Sequence, residues 1–391
     1  MKPHFEQGTC QIYLGNSLDV LKELTAESVH CVVTSPPYWG LRDYGTADWD
    51  GGDSECDHSC GGQVNQTKDA GTSRGDIYTS GVRPGIDSST CLKCGATRVD
   101  DQIGLEKTPE EYIAKLVELF REVRRVLRSD GTLWINIGDS YNAQPGQLKV
   151  TDKAGVKQAS DVGSIGAPSR SVENLKPKDL VGIPWMLAFA LRADGRWLRQ
   201  DIIWSKPNPM PESVTDRCTK SHEYVFLLSK SAKYYYNADA IKEKATGQGG
   251  LANSFERETK ECFVPGHANK QHRLNRKSSS PATHGNIPGR SDGGASCHKP
   301  GQEYRNKRSV WEIIPESLKE AHFATYPTEL VKPCILAGCP EGGTVLDPFS
   351  GSGTTGLVAR DNGCKYIGIE LNPEYIEISA KRLAQDVLQF V

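Results

Sequence analysis

Near the carboxyl end of the chain a short strand, TVLD (344–347), runs into Pro348-Phe349-Ser350-Gly351-Ser352-Gly353-Thr354-Thr355-Gly356. A helix and a second strand, KYIGIE, follow and end on Glu370. Gly351, Gly353 and Gly356 satisfy the spacing G-x-G-x-x-G, which lets a backbone turn tightly and approach a ligand closely. A carboxylate at the end of the next strand, here Glu370, can accept hydrogen bonds from ribose hydroxyls. Taken alone this is dinucleotide chemistry, and a nicotinamide oxidoreductase is one reading of it. A Walker-type phosphate loop is excluded, because Gly-Thr-Thr stands at 353–355 where Gly-Lys-Ser/Thr is required. Asp347 would repel a pyrophosphate but suits a cationic amino-acid moiety, which directs the loop to S-adenosylmethionine.

A second group of residues, Thr34-Ser35-Pro36-Pro37-Tyr38-Trp39, ends a β-branched run (VHCVVT) near the amino end. Two consecutive prolines hold the backbone extended and free of donors, so the Ser35 hydroxyl and the Pro36 carbonyl can both act as acceptors in one pocket. An amino group fits such a pocket, and Tyr38 offers a flat face for a planar base. A third group, Cys56-x-His58-x-Cys60 with Cys91-Leu92-Lys93-Cys94-Gly95, has the spacing of metal ligands. It lies in a polar segment with little core of its own, which a metal would give a reason to fold. Cys56, His58, Cys91 and Cys94 are the favoured ligands of a structural zinc, with Cys60 the rival of His58.

These residues need a scaffold, and the hydrophobic patterning supplies one. QIYLG, SLDVLKEL and VHCVVT form a strand, helix and strand that lead to Ser35. Thr108-Pro109-Glu110 starts a helix with Tyr112, Ile113, Leu116, Phe120, Val123 and Leu127 on one face, followed by the buried-looking strand TLWINIG. Asp179 is placed to cap a helix through Trp185 and Leu191, and DIIWSK and EYVFLLSK read as adjacent strands. A helix near 327–338 precedes the TVLD strand. Between these elements, 46–104 and 242–308 read as insertions and 142–172 as a mobile loop. The chain has 391 residues, 37% hydrophobic and 25% charged, which excludes a disordered or fibrous protein. No run approaches a membrane span and the amino end lacks a secretory signal, so the protein is expected in the cytoplasm. The net charge of −2 hides a basic window: residues 268–308 carry nine Lys and Arg against Asp292 and Glu303, a local +7. Twelve cysteines in such a chain point to metal or burial rather than disulfides, and Cys31 is expected in the core.

TSPPYW at 34–39 followed by LDPFSGSGTTG at 346–356 resembles the amino-methylating DNA methyltransferases, enzymes that methylate the exocyclic nitrogen of cytosine or adenine. The order, catalytic motif first and cofactor motif last, is similar to their β class. GTLWINIGDSY, DIIWSKPNPMP, SHEYVFLLSK and HFATYPTELVKPCI resemble further segments of the same family. The resemblance implies an α/β fold of the S-adenosylmethionine-dependent, Rossmann-like type, a mostly parallel sheet with helices on both faces. The core would comprise 1–45, 105–241 and 309–391, with a zinc-binding insertion at 46–104 and a basic target-recognition region at 242–308.

Carried over residue by residue, the resemblance implies a base pocket at Ser35, Pro36, Pro37 and Tyr38. It implies a cofactor pocket lined by Asp347, Pro348, Phe349, Gly351, Gly353 and Thr354, with Glu370 on the ribose and Thr325 on the methionine side. Where relatives carry Gly-Asp near the adenine of the cofactor, this chain has Gly15-Asn16, so that Asn16 or Asp19 takes that place. Lys270, Arg273, Arg276 and Lys277 would meet DNA. Ser in the catalytic tetrapeptide is commoner in cytosine-N4 members and Asp in adenine-N6 members, which favours cytosine N4 with adenine N6 the alternative. Double-stranded DNA is the implied partner, a homodimer and a cognate restriction endonuclease are compatible with it, and a bacterial or phage-infected cytoplasm is the setting. A more distant reading is a zinc-containing DNA-binding module without catalysis.

Overall fold

The computed structural model describes residues 1–40, 42–43, 48–53, 55–58, 90–91, 93–99, 102–142, 165–166, 174–245, 303–316 and 326–384. Lys242–Lys307 forms a unit of its own, and Met1–Ile241 with Arg308–Val391 forms the other. In the larger unit one sheet contains β1 (Phe5–Gln7), β2 (Cys10–Leu14), β3 (Val29–Thr34), β4 (Leu127–Ile137), β5 (Trp197–Ser205), β6 (His222–Ser229), β7 (Val310–Glu312), β8 (Thr344–Asp347) and β9 (Lys365–Glu370). Their order across the sheet is β1-β2-β9-β8-β3-β4-β6-β5-β7. From β2 to β4 every neighbour is parallel. Beyond β4 the sheet turns antiparallel through β6 and β5, and β7 runs parallel to β5. The chain enters β3 and β8 at the centre and departs from them in opposite directions. The crevice at their carboxyl ends is where a sheet of this kind admits ligands.

Both faces are covered. Helices α1 (Ser17–Glu23), α2 (Pro109–Val126) and α3 (Ile183–Ala193) bury Leu21, Tyr112, Leu116, Phe120 and Leu187 against Val32, Leu133, Ile135 and Phe226. On the opposite face α4 (Thr328–Gly338), α5 (Thr354–Asp361) and α6 (Pro373–Ala384) pack Val331, Ile335, Val358 and Ile376 on Ile12, Cys31, Trp134 and Val225. Successive residues of β4 therefore serve different cores, Leu133 and Ile135 one and Trp134 the other, as a period of two requires. Cys31 lies in the core as expected, and burial pushes its thiol up to about 12, an inert state.

Helix α2 begins as its sequence prescribes, with a capping box between Thr108 and Glu111 and Pro109 in the first turn. Helix α3 departs from expectation. Gly182 adopts the left-handed φ of 86° and delays the helix start to Ile183, out of reach of Asp179. The cap comes instead from Asp139, which follows β4 and accepts hydrogen bonds from the Gly182 and Ile183 amides at 2.9 and 3.0 Å. Helix α3 is thus fixed to the end of a central strand.

Two small antiparallel pairs accompany the sheet, residues 48–50 with 97–99 and residues 42–43 with 165–166. In the smaller unit Glu243–Lys244 pairs with Tyr304–Arg305, and Arg305 Nε meets Glu243 Oε1 at 2.8 Å, so the two ends of the basic window are joined in a stem. Most of that window, nearly all of the 142–172 loop and Cys60 lie outside the described residues. Among the described residues no helix is long and apolar enough to cross a membrane.

Candidate active site

The centre of the crevice is Asp347, the last residue of β8, with no exposed surface. Its Oδ1 accepts the Thr34 hydroxyl at 2.7 Å and the Phe349 amide at 3.0 Å. Its Oδ2 accepts the Thr355 hydroxyl at 2.7 Å and the Tyr326 hydroxyl at 2.9 Å. Burial raises its pKa and these four donors oppose the rise. The carboxylate therefore joins β3, the glycine loop, α5 and the segment before α4 at one point. Ser17, at the start of α1, adds a bond to the Pro348 carbonyl at 2.5 Å.

The loop that follows reverses at Gly351 and Gly353, whose φ values of 52° and 75° are left-handed and suit glycine. The third glycine of the motif serves packing: a Cβ at Gly356 would lie 2.6 Å from the Tyr366 ring. Ser379 donates to the Gly351 carbonyl at 2.7 Å, and Arg382 reaches the Ser352 carbonyl at 2.6 Å and the Thr354 hydroxyl at 3.1 Å. Thr354 is buried, and its hydroxyl braces the loop from the α6 side. Opposite the loop, Glu370 ends β9. Its carboxylate accepts the Gly351 amide at 2.7 Å and the Asn372 amide at 2.9 Å, and burial raises its pKa to about 7. The Gly15 amide bonds the Glu370 carbonyl at 3.0 Å, which sets Asn16 beside Glu370. Asn16 itself caps α1 through the Leu18 amide at 2.9 Å. Asp19 is exposed, with Lys22 at 3.6 Å.

Ser35 to Tyr38 leave the end of β3 directly beside this loop. Pro36 is buried, and the Tyr112 hydroxyl of α2 binds the Pro37 carbonyl at 2.8 Å. The Tyr38 ring lies on Gly138, where a Cβ would come within 2.6 Å of it. Its hydroxyl donates to Glu223 Oε2 at 2.7 Å, and Ser35 donates to Asn136 Oδ1 at 3.4 Å. Burial, and then the Glu223 carboxylate, hold the Tyr38 phenol well above its ordinary range, so it remains a neutral donor. The remaining expected positions, Thr325, Lys270, Arg273, Arg276 and Lys277, lie outside the described residues.

A separate cluster brings together Cys56, His58, Cys91 and Cys94, whose ligand atoms all lie within 4.8 Å of one another. Cys56 Sγ and Cys91 Sγ are 3.9 Å apart, and Cys94 Sγ lies 3.4 Å from His58 Nδ1. A tetrahedral zinc with bonds of about 2.3 Å to sulfur and about 2.0 Å to nitrogen needs separations of about 3.8 and 3.5 Å, so the four residues fit that ion. The His58 ring stacks on Trp49, with centroids 4.7 Å apart, which fixes its orientation.

A family model described as a DNA methylase, of the N6/N4 type, matches residues 29–381. The chain belongs to that family. The Type II methyltransferase M.Cfr9I of Citrobacter freundii is 38% identical over 372 residues, which cover 95% of this chain and 87% of the relative. M.SmaI of Serratia marcescens, also a Type II methyltransferase, is 37% identical over 375 residues, covering 96% of this chain and 91% of the relative. Among solved structures the PvuII DNA methyltransferase, described as cytosine-N4-specific, superposes with a TM-score of 0.54 at 15% identity, over 99% of this chain and 90% of that one. That likeness concerns the fold. Membership in the methylase family removes the nicotinamide oxidoreductase reading.

Several groups in this methylase site escape a reading of the sequence alone. Asn136 is a lone amide within the apolar run TLWINIG, and Glu223 is a charge at the head of the apolar strand EYVFLLSK. A polar residue in a strand otherwise built for burial is the signal that marks both. Tyr326 adjoins the expected Thr325, and its hydroxyl is one of three bonded to Asp347.

Proposed function

We propose that this chain is a Type II modification methyltransferase acting on N4 of a cytosine extruded from double-stranded DNA. The observation that carries the reading is Ser35, a hydroxyl rather than a carboxylate, at the end of β3 beside the glycine loop of β8. The residues at that loop fit S-adenosylmethionine: left-handed Gly351 and Gly353 open the backbone, Glu370 presents a carboxylate, and Asn16 stands next to it. When bound, S-adenosylmethionine supplies an electrophilic methyl group on its sulfonium. Pro348, Phe349 and the glycine loop would hold it, Glu370 would accept its ribose hydroxyls, and Thr325 would lie on its methionine side. Asp347 and Thr354 shape this pocket from behind. The exocyclic amine is a poor nucleophile because its lone pair is delocalised into the ring. Ser35 and the Pro36 carbonyl, accepting its two hydrogen atoms, turn the lone pair out of the ring plane, while Tyr38 holds the base. Acceleration comes from positioning and electrostatics, with no covalent cysteine adduct.

The basic region 242–308 would recognise the target sequence, with Lys270, Arg273, Arg276 and Lys277 on phosphates and bases. Cys56, His58, Cys91 and Cys94 would hold a structural zinc, all four positions of the metal being filled by the protein. The bacterial sources of the relatives favour a bacterial cytoplasm, with an endonuclease of the same specificity as the counterpart enzyme. The deciding experiment is incubation of the purified protein with unmethylated plasmid and S-adenosylmethionine, then digestion to nucleosides and mass spectrometry. N4-methylcytosine is expected. N6-methyladenine would keep the acceptor mechanism but refute the assignment of the base from Ser35. The absence of any methylated nucleoside would leave a non-catalytic DNA-binding module.

Glu370 makes cofactor binding depend on pH. Ribose hydroxyls donate to the ionised carboxylate, and the raised pKa of about 7 leaves that form scarce in acid. Affinity for S-adenosylmethionine should thus rise with pH through about 7, by up to tenfold per unit below it. In the free protein the sign reverses: the fold prefers the protonated form, and Glu370 lowers stability as pH rises from the ordinary carboxylate range through about 7. Calorimetric titration between about pH 6 and about pH 8 measures the first effect. The same slope in Glu370→Gln would show that another group is responsible.

A further inference from the structure

We infer that Glu223, through Asn136, sets the polarity of the Ser35 hydroxyl and so acts as a positioning residue for methyl transfer. The inference rests on the reading above that Ser35 accepts a proton of the target amine. A serine hydroxyl has one proton, and it serves as an acceptor toward the base only if that proton is directed elsewhere. Ser35 gives it to Asn136 Oδ1 at 3.4 Å; the Tyr38 oxygen lies 3.3 Å from the same atom, but its own proton goes to Glu223 Oε2 at 2.7 Å. An amide can present either end, so something must decide that oxygen, rather than nitrogen, faces Ser35.

The decision is made on the far side of the amide. Asn136 Nδ2 donates to Glu223 Oε2 at 3.2 Å and to the Tyr224 carbonyl at 3.2 Å. Turned over, the amide would set its oxygen against a carboxylate and a carbonyl, with no proton between them, inside a site where Asn136 is buried. The Tyr224 carbonyl alone is a neutral acceptor, whereas Glu223 adds a full negative charge. The Lys206 ammonium holds that carboxylate in place: it pairs with Glu223 Oε1 and sits 4.2 Å above the Trp204 ring. The chain of groups thus runs from Lys206 to Glu223, Asn136 and Ser35, with the Tyr38 hydroxyl donating to Glu223. With the charge removed, the amide is free to turn its NH2 toward Ser35. The serine proton would then face the target amine and oppose it.

The test is the variant Glu223→Gln, assayed as the full chain on its DNA. The NH2 group it introduces competes for the Asn136 oxygen, and kcat should fall by about tenfold to a hundredfold while cofactor and DNA affinities hold. Adding Asn136→Asp in the Glu223→Gln background should restore turnover, because a carboxylate accepts from both Ser35 and the amide introduced at position 223, whichever way it turns. The restored enzyme should also acquire an acidic limb in its pH profile as the new carboxylate titrates. Lys206→Met offers an independent reading: Glu223 stays but loses the cation that holds its carboxylate in place, so kcat should fall while cofactor affinity holds. Wild-type kcat in Glu223→Gln overturns the inference, as does a double variant that stays slow or a Lys206→Met variant with wild-type kcat. If Glu223→Gln does not fold, judged by lost cofactor binding, the kcat of Lys206→Met alone decides. Should Ser35→Ala retain full turnover, the fault lies with the acceptor reading itself. A slow Ser35→Ala beside a normal Glu223→Gln refutes only the role of Glu223.

Discussion

Ser35→Ala is expected to lower kcat by roughly 10²- to 10³-fold, the cost of removing one preorganised hydrogen-bonding group from a site where charge develops. The Pro36 carbonyl remains, so the amine is still held at one hydrogen but is no longer turned toward the methyl donor. Cofactor binding should be untouched, because the glycine loop after β8, Glu370 at the end of β9 and Gly15 before Asn16 are bonded to one another without Ser35. Stability should also change little. The serine hydroxyl has a long bond of 3.4 Å to Asn136, at the weak end of hydrogen-bond geometry. Single-turnover methyl transfer, with cofactor affinity measured on the same sample, separates these effects. A rate within about twofold of wild type would remove Ser35 from the chemistry and shift the burden to the Pro36 carbonyl.

The parts of this site that are legible in the sequence are those in which local pattern and chemistry coincide. The strand TVLD, its glycine loop and KYIGIE can be read because glycine spacing, β-branched residues and a terminal carboxylate occur within one short segment. The Thr108 cap and the apolar face of α2 are legible for the same reason. What the sequence conceals is the company a residue keeps across the sheet. By its type and place Asp347 suits a ligand's ammonium, yet its oxygens accept bonds from Thr34, Tyr326, Thr355 and a backbone amide, drawn from segments far apart in the chain. Asn136 and Glu223 meet because β4 and β6 are antiparallel neighbours, with Asn136 paired to Val225. No periodicity specifies that pairing. Proximity in the chain gives the cap of α3 to Asp179, whereas a left-handed glycine hands the position to Asp139. For the metal cluster, spacing leaves His58 against Cys60; among the described residues His58 lies with Cys56, Cys91 and Cys94, and Cys60 is outside them.

Removal of zinc is expected to reduce turnover by about tenfold or more while leaving S-adenosylmethionine binding near its original strength. The insertion that carries the cluster departs from the catalytic segment and returns to it. Trp39, next to Tyr38, donates its indole N–H to the Glu106 carbonyl at 3.0 Å, and the Gly40 amide bonds the Gly104 carbonyl at 2.9 Å. Gly104 packs so closely on this segment that a Cβ there would lie 3.1 Å from the Tyr38 carbonyl. Between these anchors the insertion has the small pair of residues 48–50 with 97–99 and the cluster of Cys56, His58, Cys91 and Cys94. A two-stranded pair of this size is marginal by itself in water, so the metal would supply much of its folding free energy. Without the ion residues 97–99 should fray, and the backbone behind Tyr38 would lose its support. The cofactor loop is bound to β9, α1 and α6 and does not depend on that segment. Chelation, with released zinc counted by a colorimetric indicator, should give one ion per chain, slower methyl transfer and recovery on adding zinc. Cys94→Ser should reproduce the chelated state. Full activity from a chain proven free of metal would refute the coupling, and equal loss of cofactor binding would mean that the ion supports the whole fold rather than the base pocket.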